Sequence, residues 1–458
     1  MSGPMALEPG GTEHDTLALR LADHRTLALR LPDHGVDQDA VDRLAAELAD
    51  HVGPAVHPYE VAALLESEGL TAEAIQERYG HPDLFSLAST LYERVPRTFP
   101  EPPSPADPWR PDHVRCALRG ALFALPGLAY LLTGQLWQAD RDTDVLIVAG
   151  LVSWAWGQAL GHRAYVRMTT GRREAGRTLL KGAPLGAVAA TGAGSLLAGS
   201  GTAVGVAAAQ SVYLAAAGVL LVLGRERLLL AALTPLIAGA LMLPWWEPGT
   251  PLRVGLPLLA LAGTGAAAGW ALKATQTVSP VPDGTRPRLL GSMPYGLFGL
   301  AAGVLVLVAG RQHPYAVIVL TVSMGPAEWL LYKYRGMSVA ALRATATPAA
   351  FLLRSTGILA LCLLVYLLPL LPAALLIDAE PVPLLLLAAT LWTALLLQAF
   401  GVAWPPAAVC LAAAGGAATT AVLHPSPDTA VLSLCCGAAA LCLAACVLRL
   451  LGRPAPHV

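Results

Sequence analysis

The stretch "GPAEWLLYKYR", residues 325–335, places a glutamate inside an otherwise apolar run. A carboxylate in hydrocarbon needs a cation, a wet cavity or a route to the interface. Glu328 therefore has two readings. It pairs with Lys333 or a neighbouring loop arginine, or it binds substrate, exchanges a proton or acts as a gate. Other side chains suited to such work sit at similar depth. Arg115 and Arg119 open the first long apolar run, and a guanidinium's fixed donors can take two oxygens of a phosphate at once. Snorkelling to lipid headgroups is the alternative use of both arginines. Gln158, Trp154, Trp156 and Trp329 would line a passage wet enough for sugar rings, with Arg163 or Lys333 assisting. Trp245 and Trp246 read instead as lipid anchors.

Other chemistries have less behind them. Asp140, Asp142 and Asp144 form a D-x-D-x-D alternation that could hold a cation in a membrane-embedded glycosyl or acyl transferase, but Arg141 sits among them. The cysteines, Cys116, Cys362, Cys410, Cys435, Cys436, Cys442 and Cys446, fall in apolar runs without a C-x-x-C spacing and read as packing. His51, His57 and His81 do not share one helix face and read as solvated or locally bonded. No catalytic residue, cofactor or metal is expected.

The elements that position these residues follow from composition. The 458 residues are 55 % hydrophobic and 13 % charged, against about 25 % charged in soluble domains. Residues 1–112 hold 8 Lys/Arg and 20 Asp/Glu, whereas the remainder holds 22 and 11. From residue 114 to 450 about twelve apolar runs are long enough to cross roughly 30 Å of hydrocarbon as helices. Their length and their Ala and Leu content argue against barrel strands. The expected fold is an all-α polytopic membrane protein: about twelve transmembrane helices in two parallel six-helix halves, with an N-terminal cytoplasmic helical domain. Basic residues in alternate connections, with only Arg141, Arg253 and Arg311 clearly on the other side, put both termini in the cytoplasm. The Ala, Gly and Pro enrichment fits a bacterial cytoplasmic membrane.

The expected divisions are an acidic helical head at 1–96 with a flexible N-terminus, a proline-rich linker at 97–112, a first half at 113–272, a cytoplasmic connection at 273–289 and a second half at 290–458. In the head, Val41, Leu44, Leu48 and Val52 recur at helical spacing, and helices are expected over 38–52, 58–69, 71–80 and 81–96, with Phe85 adding bulk to the last. Its first residues carry the near-duplication "TLALRLADHR" and "TLALRLPDHG" at 16–35. The acidic balance disfavours nucleic acid; the head reads as a regulatory module or one at which a cytoplasmic protein docks to residues 1–96, or as a stabilising appendage.

A second repetition lies in the membrane part. Matching Val152–Ser153 to Val322–Ser323 aligns Gln158 with Glu328 and Arg163 with Lys333. Both spans run into basic connections, at 162–181 and 333–355, with potential for short amphipathic segments. With these features residues 113–458 resemble the polysaccharide exporters of the multidrug/oligosaccharidyl-lipid/polysaccharide flippase superfamily. The acidic head departs from the compact members of that superfamily. The resemblance implies alternating-access movement of an anionic glycan or lipid-linked saccharide across the bilayer. Two alternatives stay open: a non-transporting scaffold for polymer-synthesis or division machinery, and the transferase above.

Overall fold

The computed structural model describes residues 38–97, 111–134, 139–279, 289–423 and 429–453, with backbone only at 139–142. The near-duplication at 16–35, residues 98–110 of the linker and the side chains of Asp140 and Asp142 lie outside the described residues. The chain forms two compact units, Met1–Ala106 and Asp107–Val458.

The first unit contains α1 (Gln38–Glu47), α2 (Ala49–Val52), α3 (Pro58–Ser67), α4 (Ala72–Tyr79) and α5 (Leu84–Arg94). Side chains that accept backbone amides begin three of them. His57 takes the amide of Tyr59, Thr71 that of Ala74 and Asp83 that of Ser86, satisfying donors that a first helical turn leaves over. Gly80 closes α4 at φ 67°, a left-handed position open to glycine without penalty. The apolar faces meet in one core that includes Val41, Leu44, Leu48 and Val52, packed with Leu65, Ile75, Leu87 and Leu91. Two residues of the head take a definite place. Phe85 is 56 % exposed rather than part of that core, and it stands edge-on to the exposed Tyr59. His81 takes the locally bonded form of its expectation: it is buried, with Nδ1 2.9 Å from Ser86 Oγ.

Among its described residues the second unit consists of helices joined by turns, which form twelve successive helical segments, here called passes. The first is α6 (His113–Ala124) with α7 (Gly127–Thr133), interrupted at Pro126. Then follow α8 (Ala139–Thr170), α9 (Arg172–Ser195), α10 (Gly201–Val222), α11 (Glu226–Met242) and α12 (Thr250–Gln276). The later passes are α13 (Met293–Gln312), α14 (Pro314–Val322) with α15 (Met324–Arg343), α16 (Pro348–Leu367) with α17 (Leu370–Leu376), α18 (Pro381–Ala399), α19 (Trp404–Leu423) and α20 (Thr429–Leu451). Among the described residues ten passes are long and apolar enough to cross a membrane. The other two are α9, whose first turns are rich in charge, and α11, which has 17 residues.

The basic connection expected at 162–181 is not a loop or a separate surface segment. Helix α8 continues to Thr170, the chain turns on Gly171 at φ 155°, and α9 starts at Arg172. Apolar content marks where a helix is in lipid, not where it ends; the helix ends where glycine permits the turn. The connection at 333–355 is likewise mostly helix, in α15 and α16.

Buried apolar side chains gather into two large cores, one drawn wholly from residues 122–272 and one from 298–451. Between them α6 packs on α15 and α8 on α13. The first pass thus meets the eighth and the second meets the seventh, a reciprocal pairing that exchange of two six-pass sets produces. Both crossings are close and antiparallel. A Cβ on Gly325 would lie 2.7 Å from the carbonyl oxygen of Cys116, and one on Gly299 would lie 2.8 Å from Gln158 Cγ. Of the cysteines, Cys116, Cys362, Cys410 and Cys436 are buried, Cys435 and Cys446 half-buried, and Cys442 exposed.

Candidate functional site

Four charged side chains meet where the two cores face each other. Glu226 opens α11 and is buried. Its Oε1 accepts Arg115 Nε at 2.8 Å and Arg119 Nε at 3.0 Å, both one turn apart on α6, while Arg119 Nη2 lies 2.8 Å away. Arg119 Nη1 donates to Glu328 Oε1 at 2.5 Å. Arg119 is therefore held by two carboxylates, one on its own set of helices and one on α15 of the other set. Glu328 does not pair with Lys333 or with a loop arginine, because the close α6–α15 crossing brings Arg119 to it first. Lys333 Nζ instead stands 5.4 Å from the Trp329 ring centre, and the indole Nε1 donates to His113 Nδ1 at 2.9 Å.

Arg119 and Glu328 lie in the wall of a 910 Å³ cavity lined by both sets, by α6, α8, α9 and α10 on one side and by α13, α15 and α18 on the other. Of the residues singled out from sequence, Arg119, Trp156, Gln158 and Glu328 line it. Arg115 is not part of its wall; it binds Glu226, which in turn holds Arg119. Trp154 stands edge-on behind Phe123, which does line it. Arg163, Trp329 and Lys333 are not part of its wall. Trp156 keeps its place through a hydrogen bond from Nε1 to the carbonyl of Gly182 at 2.8 Å and through Gly186, where a Cβ would overlap the indole.

The structure adds residues that the sequence reading passed over. Glu226 lies between Arg225 and Arg227 at the edge of a span and reads as part of an ordinary polar connection. Only its place at the first turn of a membrane helix sets it apart in the sequence, since the arginines on either side make it look already compensated. His162 of α8 stacks on Tyr295 of α13 with ring centres 3.7 Å apart, and its Nδ1 is 3.1 Å from Ser292 Oγ. His162 and Tyr295 both line the cavity, so the second crossing, like the first with its Arg119–Glu328 and Trp329–His113 bonds, carries polar contacts between the helix sets. Arg335 also lines it and lies over the Phe400 ring at 5.2 Å. Among the described residues no group of three His, Cys, Asp or Glu side chains could hold a metal ion.

No protein-family model matches the chain, and no curated protein matches it. Solved structures that resemble it include an outward-facing multidrug resistance MATE family transporter of the MOP superfamily. That likeness has 15% identity and a TM-score of 0.42, covering 75% of this chain and 96% of that one. A MOP superfamily transporter from Pyrococcus furiosus, described as having a binding pocket of reversed polarity, has 14% identity and a TM-score of 0.39, covering 77% and 98%. An inward-facing MATE structure has 15% identity and a TM-score of 0.38, covering 74% and 93%. Similarity of this size identifies no family for the chain.

Proposed function

We propose that the membrane unit is an alternating-access carrier and that the Arg119–Glu328 pair is its gate. One observation carries the reading: a single arginine, in the wall of a cavity between two helix sets, is bound to a carboxylate on each. Parting the sets at the α6–α15 crossing breaks the bond to Glu328 and leaves the bond to Glu226. Arg119 thus keeps a counter-ion in both states, which removes the large penalty of an unpaired buried charge from the transition. The substrate class we propose is the anionic glycan or lipid-linked saccharide. Its phosphate or carboxylate takes the place of Glu328 on Arg119 as the seam opens, and its apolar part lies along the Trp156 and Phe123 side.

The positive residues in alternate connections support an orientation with both termini in the cytoplasm of a bacterium. The acidic head, with Val56, Tyr59 and Phe85 exposed, is proposed to dock a cytoplasmic protein. The test of the carrier is flux of a fluorescent lipid-linked saccharide in proteoliposomes. Glu328→Gln should insert normally and lower flux at least tenfold; unchanged flux removes the pair from the mechanism.

A further inference from the structure

The repeat offers a comparison within the chain. Ser153 and Ser323 occupy matched positions, yet their hydroxyls differ in what they bind. Ser323 Oγ is 2.7 Å from the carbonyl of Leu320 and 3.0 Å from the Tyr366 hydroxyl. Ser153 Oγ is buried and has no hydrogen-bond partner, and the same is true of Ser211 Oγ on α10. Both residues are at least nine-tenths buried, and both lie in the cavity wall. Elsewhere in the spans the hydroxyls of Thr133, Thr264 and Thr390 fold back onto the carbonyl one turn earlier. A membrane helix offers every serine that bond; Ser338 and Ser355, outside the cavity wall, also forgo it but have the Tyr334 hydroxyl beside them, whereas Ser153 and Ser211 forgo it beside a cavity, where a ligand can supply the partner.

The two serines stand at one level. Gln210 side chain lies against Gly150, and Val222 lies against Gly161, so α8 and α10 run side by side in the same direction. Ser153 and Ser211 fall between those two contacts. Ser153 is five residues from Gln158, about 7.5 Å of helix, on the side away from the gate. Across the cavity Gln398 of α18 also lines the wall, and its Nε2 is buried without a partner. Arg119 and Arg115 are meanwhile taken by Glu226 and Glu328, and Arg335 lies over the Phe400 ring.

We infer that Ser153 and Ser211 form a hydrogen-bonding subsite for an uncharged, hydroxyl-bearing group, with Gln398 donating from the facing wall. A hydroxyl both donates and accepts, so one ligand group can satisfy either serine, and it can accept from Gln398 Nε2. A turn about χ1 carries each serine oxygen between staggered positions and so toward the cavity. Glycan hydroxyls have this chemistry, whereas an anion does not need it. The inference rests on the carrier reading in taking the cavity as a ligand site.

The test is equilibrium binding of radiolabelled hexyl β-glucoside to the full chain in phosphatidylcholine nanodiscs, with its tetra-O-methyl derivative and hexyl phosphate as comparison probes. Hexyl glucoside should bind saturably and its methylated derivative more weakly, while hexyl phosphate, which addresses Arg119, should bind with an affinity that replacing Ser153 and Ser211 leaves unchanged. The Ser153→Ala/Ser211→Ala double variant should lose about tenfold in glucoside affinity with no fall in unfolding midpoint, because it removes unpartnered groups. Ser153→Thr, which keeps a hydroxyl, should retain most of the affinity. Absent saturable binding, equal binding of the methylated probe, wild-type affinity in the double variant, or an equal loss there for hexyl phosphate would each overturn the subsite. Glucoside binding that persists while no variant or wild-type chain transports would overturn the carrier and leave the subsite standing.

Discussion

Replacing Glu226 and Glu328 singly and together by glutamine separates the two duties given to these carboxylates. Truncating one partner of a buried ion pair costs about 3–5 kcal/mol, and an exposed pair is worth about 0–1 kcal/mol. Arg115 has 43% of its side chain exposed and can rehydrate, so its loss of Glu226 belongs near the lower figure. Arg119, with 14% exposed, keeps Glu328 and loses about half of its counter-charge. Glu226→Gln should then cost about 2–3 kcal/mol, and Glu328→Gln about 1–2 kcal/mol, since Glu226 still holds Arg119. In the double variant Arg119 has neither carboxylate. Its cost should exceed the sum of the singles by about 1–2 kcal/mol, a coupling that groups sharing one partner show. Unfolding titrated with SDS in mixed micelles measures all three. Additivity within about 0.5 kcal/mol, or a larger loss for Glu328→Gln than for Glu226→Gln, would refute the idea that Arg119 is shared between them.

Two further outcomes follow from contacts elsewhere. Gly325→Ala puts a Cβ 2.7 Å from the Cys116 carbonyl and should cost about 1–3 kcal/mol and lower flux, whereas Gly265→Ala, with open space around it, should be neutral or stabilising; equal midpoints for the two would refute the close crossing. Burial of His81, with Arg94 adding to it and Asp83 opposing, lowers its pKa from the ordinary 6.5. The unfolded head then binds the proton that the folded head refuses, so its stability is complete above pH about 6.5 and falls as pH drops toward the lowered value. Hydrogen exchange of the head amides in the full chain should show less protection at pH 6 than at pH 7.5, with His81→Gln reducing the difference; pH-independent protection would refute it.

The spans were legible because hydrocarbon imposes a simple length and composition on any helix that crosses it. Glu328 stood out for the same reason. Its partner did not, because Arg119 lies 209 residues away and nothing in local spacing reports the crossing at Gly120 and Gly325. Glu226 was hidden by its neighbours: between two arginines a glutamate looks already compensated, although in the fold it serves Arg115 and Arg119 of another helix. Ser153 was visible as half of the Val-Ser match, but its meaning came only from finding Ser323 satisfied by Tyr366 and Ser153 by nothing. In the head, spacing gave Val41, Leu44, Leu48 and Val52 the correct face, while the bulk of Phe85 does not say which way it points, and it is exposed.

The one-residue joint at Gly171 has a mechanical consequence. Helix α8 has 32 residues, about 48 Å of rod, so roughly 18 Å extends beyond a 30 Å hydrocarbon layer. Glu174 binds Arg167 at 3.2 Å and Arg177 at 2.8 Å, stapling the rod to α9 just past the bend. A hairpin tied in this way has no slack. Tilting of the limb that bears Ser153, Trp156 and His162 must swing its tip through the water, and a hand laid on that tip from the aqueous side would steer the cavity.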